Sequence, residues 1–292
     1  MSSRLVLIAA VLVVLAGCDE GIEPTAGEDR PFALYGQLDA DADTQAVRVI
    51  AIAETIDTLD PDSIDARVVS THLQRDETRA WGDSLVRYGD GTRGHVFFAP
   101  FEVEYNGTYH LRVERSDGAA ATVTVTVPPL TTLDSLRREG AVGPVRYVIG
   151  VEEAPRLTGV RATYTFVGDI PTEVRTVRHT DLAERTDTGW EVAIPFEEDI
   201  RDLLTTFANG PVGLVGFEVS VYVSNEEWNA AAVGGSFDPE VIVQPGTLSN
   251  VENGFGFFGA GYRLRRQLHP FAQDELRAGL CVLNEERTEC RE

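Results

Sequence analysis

Two runs, Tyr105-Asn-Gly-Thr-Tyr-His-Leu-Arg-Val113 and Ala119–Val127, alternate apolar and polar residues on either side of Ser116-Asp117-Gly118. A period of two sends every second side chain to the same face, which suits a half-buried strand and not a helix. Asp-Gly between such runs favours a tight turn, because glycine takes positive φ without steric cost. The stretch therefore reads as a β-hairpin. The same signature recurs along most of the chain and restricts it to a mainly β fold.

Phe32–Leu38 and Gln45–Ile52 read as strands joined by the turn Asp39-Ala-Asp-Ala-Asp43. Ser63–Leu73 alternates at Ile64, Ala66 and Val68, and Trp81–Tyr88 and His95–Phe101 flank Gly89-Asp90-Gly91. Short strands at this spacing over residues 31–128 predict a β-sandwich of immunoglobulin or fibronectin type. No cysteine pair staples it, so its core must be apolar throughout. The Tyr109-His-Leu-Arg-Val stretch is similar to the penultimate strand of such modules. Pro128-Pro129 ends the segment. Residues 129–144 read as a linker, with Thr131–Glu139 as a short helix.

A second β-rich domain is expected over residues 145–292. Its strands are placed at Val145–Val151, Gly159–Val167, Val174–His179, Trp190–Ile194 and Gly213–Ser224. Glu197–Phe207 reads as a helix, because Glu197, Glu198 and Asp199 suit the positive end of its dipole and Asn209-Gly210 suits its end. Asn225–Ala232 reads as a second helical turn. The expected class is thus two β-sandwich domains with one or two short helices in the second. No repeat of solenoid length is present, although the two β halves can be read as distant copies.

In the tail, Gly254, Gly256, Gly259 and Gly261 surround three phenylalanines. Glycine there permits close backbone approach or positive φ. The segment reads as a packed strand or interdomain plug. The alternative is a phosphate-cradling loop, but no βα unit precedes it and the phenylalanines suit packing better.

The N-terminus addresses location. Arg4 is followed by an unbroken apolar stretch, Leu5–Ala16, and then by Leu15-Ala16-Gly17-Cys18. The stretch is shorter than the about 20 residues a membrane-spanning helix needs, and it fits an export signal. Leu15–Cys18 resembles the bacterial lipobox. That resemblance implies cleavage after residue 17 and acylation of the Cys18 thiol, with residues 18–30 as a flexible tether. An ordinary secretory signal with a chance cysteine is the alternative. Asp19 and Glu20 resemble an inner-membrane retention signal in one group of bacteria and a surface-export signal in Bacteroidetes-type bacteria.

The charge balance narrows the partners. Lysine is absent, so all 25 basic residues are arginine, and 47 acidic residues bring the formal net charge to −22. Nucleic acid and anionic lipid are poor partners for such a surface. An acidic, lysine-free surface looks like that of a salt-loving bacterium, where salt screens self-repulsion. Genome base composition would explain arginine over lysine but not the acid excess.

The lipobox, the Tyr35-Gly-Gln-Leu and Gln45-Ala-Val-Arg-Val strands, Gly107-Thr-Tyr-His-Leu-Arg-Val and the closing Ser249-Asn-Val-Glu-Asn-Gly-Phe-Gly-Phe-Phe-Gly-Ala together resemble a family of Bacteroidetes-type outer-membrane lipoproteins, a domain of unknown function. The resemblance implies a place at the outer membrane, often beside TonB-dependent receptors. It carries over no catalytic residue.

The candidate sites are few. Cys281 and Cys290 are nine residues apart in an exported chain, so a disulfide loop is the default. A metal there would need further ligands, and the nearest histidine is His269. Asp39-x-Asp41-x-Asp43 begins like a calcium loop, but Thr44 and Ile50 stand where an EF-hand needs glycine and glutamate, so it reads as a solvated acidic turn, with a calcium site of another kind as the alternative. His72, His95, His110, His179 and His269 show no ligand-type spacing. No nucleophile elbow, zinc-protease motif or P-loop occurs. Glu152-Glu153 and Glu197-Glu198 are uninformative as acid/base pairs in so acidic a chain. Trp81, Trp190 and Trp228 read as core, with a sugar-stacking platform as the alternative.

The resulting expectation is a non-enzymatic, lipid-anchored binding or accessory subunit of an envelope transport or assembly complex. It needs no cofactor and no metal, and it binds through strand edges and loops. A surface hydrolase acting on glycans or peptides through dispersed carboxylates is the first alternative. A passive surface or adhesion module is the second.

Overall fold

The computed structural model describes residues 30–52, 62–168, 172–179, 182–207, 210–228, 249–284 and 290. The expected signal segment, Cys18, Asp19 and Glu20, nearly all of the expected tether and the end of the Asn225–Ala232 stretch lie outside the described residues.

The chain is mainly β. The first half holds β1 (Phe32–Asp39), β2 (Thr44–Ala51), β3 (Arg67–His72), β4 (Glu77–Ala80), β5 (Gly82–Arg87), β6 (Arg93–Pro100), β7 (Thr108–Glu114) and β8 (Ala120–Thr126). The second half holds β9 (Leu133–Glu139), β10 (Arg146–Glu152), β11 (Arg156–Gly168), β12 (Glu173–Arg178), β13 (Ala183–Arg185), β14 (Gly189–Ile194), helix α1 (Phe196–Phe207), β15 (Val212–Ser224), β16 (Gly254–Leu268) and helix α2 (Ala272–Ala278).

One eight-stranded sheet, in the order β12-β11-β15-β16-β1-β2-β6-β5, draws strands from both halves. Two four-stranded sheets, β4-β3-β7-β8 and β13-β14-β10-β9, complete two sandwiches. The glycine-rich tail segment is the joint. β16 runs parallel to β1, with Phe32 opposite Gly254 and Asp39 opposite Gly261, and antiparallel to β15, with Ser224 opposite Gly261. Alternate residues of β16 feed both cores from one face. Phe258 and Ala260 enter the core formed with Leu34, Val47, Phe97, Leu111 and Val123, while Tyr262 and Leu268 enter the core formed with Tyr147, Tyr164, Phe196 and Phe217.

Each glycine of β16 has its own cause. Gly256 has φ +92°, and a Cβ there would run into the Leu34 carbonyl of β1. Gly259 and Gly261 have ordinary backbone angles but lie flat under aromatic rings: a Cβ would meet the Trp228 indole and the Tyr222 ring, each at 2.5 Å. The reading as a packed strand thus describes this segment.

The N-terminal hairpin forms as β7–β8, with Tyr109 opposite Val125 and Val113 opposite Ala121. The Tyr109 hydroxyl accepts a hydrogen bond from the Glu104 backbone N–H at 2.9 Å, the tie made by the tyrosine corner of sandwich modules. The helix expected at Thr131–Glu139 is instead strand β9, paired with β10 from Arg146–Glu139 to Val151–Leu133. A ladder partner on β10 outweighs the weak local helix preference. Of the second expected helical turn, Asn225–Trp228 is a turn closed by the Trp228 N–H on the Asn225 carbonyl. Helix α1 forms where the acids placed it, with Phe196 and Ile200 buried on its core face. Helix α2 was not expected; it ends at Gly279, φ +93°, whose N–H caps the Glu275 and Leu276 carbonyls. Among the described residues no helix is long and apolar enough to cross a membrane.

The segment after Pro128-Pro129 is pinned by Tyr262, whose hydroxyl donates to the Pro129 carbonyl at 2.6 Å and accepts from the Thr131 N–H at 2.9 Å. Burial raises this phenol to a pKa of about 12. Tyr262→Phe would leave two backbone groups unpaired in a closed space, an expected loss of about 1–3 kcal/mol in urea unfolding.

Candidate functional site

Both small sheets cover the same face of the shared sheet, and among the described residues no sheet covers its opposite face over β1, β2 and β16. On this outer face Ala33, Tyr35 and Phe257 form a third apolar cluster, packed by Ile52, Trp228 and Phe255. Alternation dictates the membership. Leu34 and Leu38 point to the core, so Tyr35, Gln37 and Asp39 point away; opposite them, Val47 and Val49 point in while Ala46 and Arg48 point out.

A cleft of about 650 Å³ lies here, within the range of small-molecule sites. Its lining includes Tyr35, Gln37, Asp39, Arg48, Tyr88 and Trp228. The Arg48 guanidinium lies over the Tyr88 ring, 4.7 Å from its centroid, a cation–π geometry. Trp228 meets Phe257 edge-on at 5.0 Å and Tyr222 at 6.2 Å. Tyr35 is 9% exposed, and its hydroxyl, the Tyr88 hydroxyl and Arg48 Nε are all buried without a hydrogen-bond partner. A buried unpaired polar group costs about 1–3 kcal/mol, so three on one cleft require a reason. Burial pushes the Tyr35 phenol up from its ordinary value, and the Arg48 charge opposes it.

The outer face carries several arginines beside the carboxylates of Asp39 and Glu218. Arg161 on β11 stands opposite Arg178 on β12 and Ser220 on β15, which in turn faces Arg265 on β16. Burial lowers the Arg161 pKa, and the charges of Arg263 and Arg178 push it the same way. Arg48, Arg161, Arg263 and Arg265 have no ion pair among the described residues, whereas most other arginines hold a carboxylate or a carbonyl.

The acidic turn spends its carboxylates internally. Asp39 Oδ1 accepts the Asp41 N–H at 3.0 Å, and Asp41 Oδ2 accepts the Arg263 N–H at 2.6 Å. The Gln45 amide fills the turn, donating to the Asp39, Ala42 and Phe101 carbonyls. Cys281 and Cys290 are disulfide-bonded, with Cα atoms 5.5 Å apart. The tryptophans divide. Trp81 is buried and donates to Ser70 at 2.9 Å, Trp190 is half-buried and donates to the Ala154 carbonyl at 3.0 Å, and Trp228 alone lines the cleft.

Two buried polar clusters in the C-terminal sandwich escaped sequence reading. Asp199 Oδ2 accepts from the Tyr164 hydroxyl at 2.7 Å and lies 2.7 Å from His179 Nε2, all three being buried. Asp274, with no solvent exposure, accepts from Arg138 and from the Tyr147 hydroxyl at 2.9 Å. Both fasten helices to the sandwich: Asp199 lies on α1 and Asp274 on α2. Neither lines the cleft, and their burial suits clamps rather than a substrate site. Glu197 clamps in the same way, accepting the Val145 N–H at 2.9 Å and pairing with Arg201 and Arg277. Of the remaining histidines, His95 pairs with Asp83 at 2.9 Å, His110 with Thr124 at 3.0 Å, His72 packs edge-on against Tyr109, and His269 is exposed. No spacing rule brings residues 35, 48, 88 and 228 together. The available signal was the outward parity of Tyr35 and Arg48 on adjoining strands.

No family model matches the chain, and no curated protein matches it. Among solved structures it is similar to the pullulanase of Anoxybacillus sp. LM18-11, both in complex with maltotriose and without it, at 12% and 13% identity and a TM-score of 0.23. The match covers 66% of this chain and 24% of each pullulanase, so the chain spans about a quarter of their length. At that TM-score the similarity bears on neither fold nor activity.

Proposed function

We propose that this chain is a lipid-anchored cell-envelope protein of the outer membrane, a binding or accessory subunit that holds a ligand in the cleft on the outer face of its shared sheet. The cleft carries the reading: aromatic faces and an unpaired guanidinium line a concave surface where buried polar atoms await partners. Asp39 is the carboxylate among the described lining residues, and its Oδ1 is engaged within its turn, so the lining favours holding a ligand over acid/base chemistry with paired carboxylates. The Leu15–Cys18 lipobox supports the anchor, and the family resemblance supports a neighbouring receptor of the TonB-dependent kind.

Mass spectrometry of the native protein is expected to show Cys18 at the N-terminus carrying acyl chains. Cross-linking in solubilised outer membrane is expected to recover an envelope component. A free Cys18 thiol behind an intact leader would end the anchored reading. A cross-linked fraction free of any envelope protein would end the accessory role.

A further inference from the structure

We infer that the cleft takes an acidic saccharide, with a uronate-type carboxylate at the Arg48 end and ring hydroxyls toward Asp39; this deepens the binding reading above and rests on it. Among the described residues Arg48 makes no ion pair, its charge reaching Asp90 only at longer range, and its buried Nε lacks an acceptor. A ligand carboxylate supplies that acceptor through a charge-assisted bond, the strong kind of hydrogen bond. Arg161 and Arg265 stand on the same face of the sheet and add positive charge there, while the carboxylates of Asp39 and Glu218 lie away from the Arg48 end.

The body of the ligand follows from the remaining groups. The Tyr35 and Tyr88 hydroxyls need partners that both donate and accept, as sugar hydroxyls do. Trp228 and Tyr35 offer aromatic rings to the apolar C–H face of a sugar ring, while the Tyr88 ring carries the Arg48 guanidinium. Arg48 lies opposite Tyr35, and Asp39 lies four residues further along β1, so the cleft runs about 13 Å, enough for two or three sugar rings. At that end Asp39 faces hydroxyl donors, while the carboxylate sits at the opposite end. A peptide fits less well. The cleft overlies β1 and β2, each hydrogen-bonded to strands on both sides, so no free edge is offered to a peptide backbone.

The test is calorimetric titration of the full chain with a galacturonic acid trisaccharide, with the methyl-esterified trisaccharide and with triglutamate. The acid is expected to bind, and the ester to bind at least about tenfold more weakly, the share of one charged hydrogen bond. Arg48→Gln should remove that discrimination, and Arg48→Lys should restore part of it. Tyr88→Phe removes only an unpartnered oxygen; it should leave the unliganded fold as stable as the parent or more so while weakening acid binding. Equal affinity for acid and ester, unaffected by Arg48→Gln, overturns the acidic-saccharide inference but leaves a ligand cleft standing. Tighter binding of triglutamate overturns the saccharide class. Binding of none of the three overturns the inference outright, while the cross-linking experiment separately decides the accessory role.

Discussion

Gly256→Ala is expected to leave little folded protein. Two independent costs meet at this residue. Its φ of +92° is unfavourable for any residue with a Cβ, and the added carbon would press against the Leu34 backbone carbonyl of the neighbouring strand. The first cost alone is about 1–2 kcal/mol. The second cannot be relieved by a rotamer change, because the obstacle is main chain. Relief requires parting β16 from β1, and that pairing joins the two sandwiches. The combined loss should exceed about 4 kcal/mol, the range reserved for strain and broken cores. Gly118→Ala is the control: its φ is +91°, yet nothing lies within 4 Å of the added carbon, so only the conformational cost applies. Urea unfolding followed by circular dichroism reads both variants. Equal losses for the two would mean that β16 does not lie against β1 at this register.

The second large effect belongs to Asp274. Asp274→Asn removes the charge that Arg138 and Tyr147 are arranged to meet. Losing one member of a buried pair costs about 3–5 kcal/mol, and the lower end applies here because Arg138 retains contact with water. The effect depends on pH with a definite sign. Burial would raise the Asp274 carboxyl, but the hydrogen bonds from Arg138 and Tyr147, with the charges of Arg138 and Arg277, outweigh it and hold the group below its ordinary value. A folded-state pKa below the unfolded one, about 3.9, gives stability that is fully present above that pH. It is lost as pH falls through the lower folded-state value. The gap between parent and Asp274→Asn should therefore be constant at neutral pH and shrink below about pH 4. A gap that stays constant into that acid range would show that the carboxylate is not held by these partners. Tyr147→Phe, which removes one of the two hydroxyl–carboxylate ties made by these clusters, should cost about 1.5–3 kcal/mol.

The strands were legible because their pattern is local. Alternation at Tyr109, Leu111 and Val113 and a glycine turn at Gly118 are enough to specify a hairpin before any partner is known. Helix α1 was legible for the same reason, since its dipole and its acids sit within one turn. Thr131–Glu139 misled because local preference there is weak, and a ladder with β10, formed only on folding, decided the matter. Helix α2 went unnoticed because its anchor, Asp274, finds Arg138 and Tyr147 more than a hundred residues away.

The cleft marks the limit more sharply. Outward parity of Tyr35 and Arg48 was present in the sequence, but outward positions on a strand ordinarily face water and carry no message. Tyr88 and Trp228 reach the same surface only because β6 and β16 flank β1 and β2 in one sheet. The residues alone established a mainly β chain and a strongly acidic balance, because the first depends on neighbours in sequence and the second on composition. Tertiary structure decided that both halves share one sheet through β16, and that its face away from the two cores gathers aromatic rings and arginines without an ion pair among the described residues. Those juxtapositions arise from strand order, which long-range backbone pairing sets and local sequence pattern does not encode.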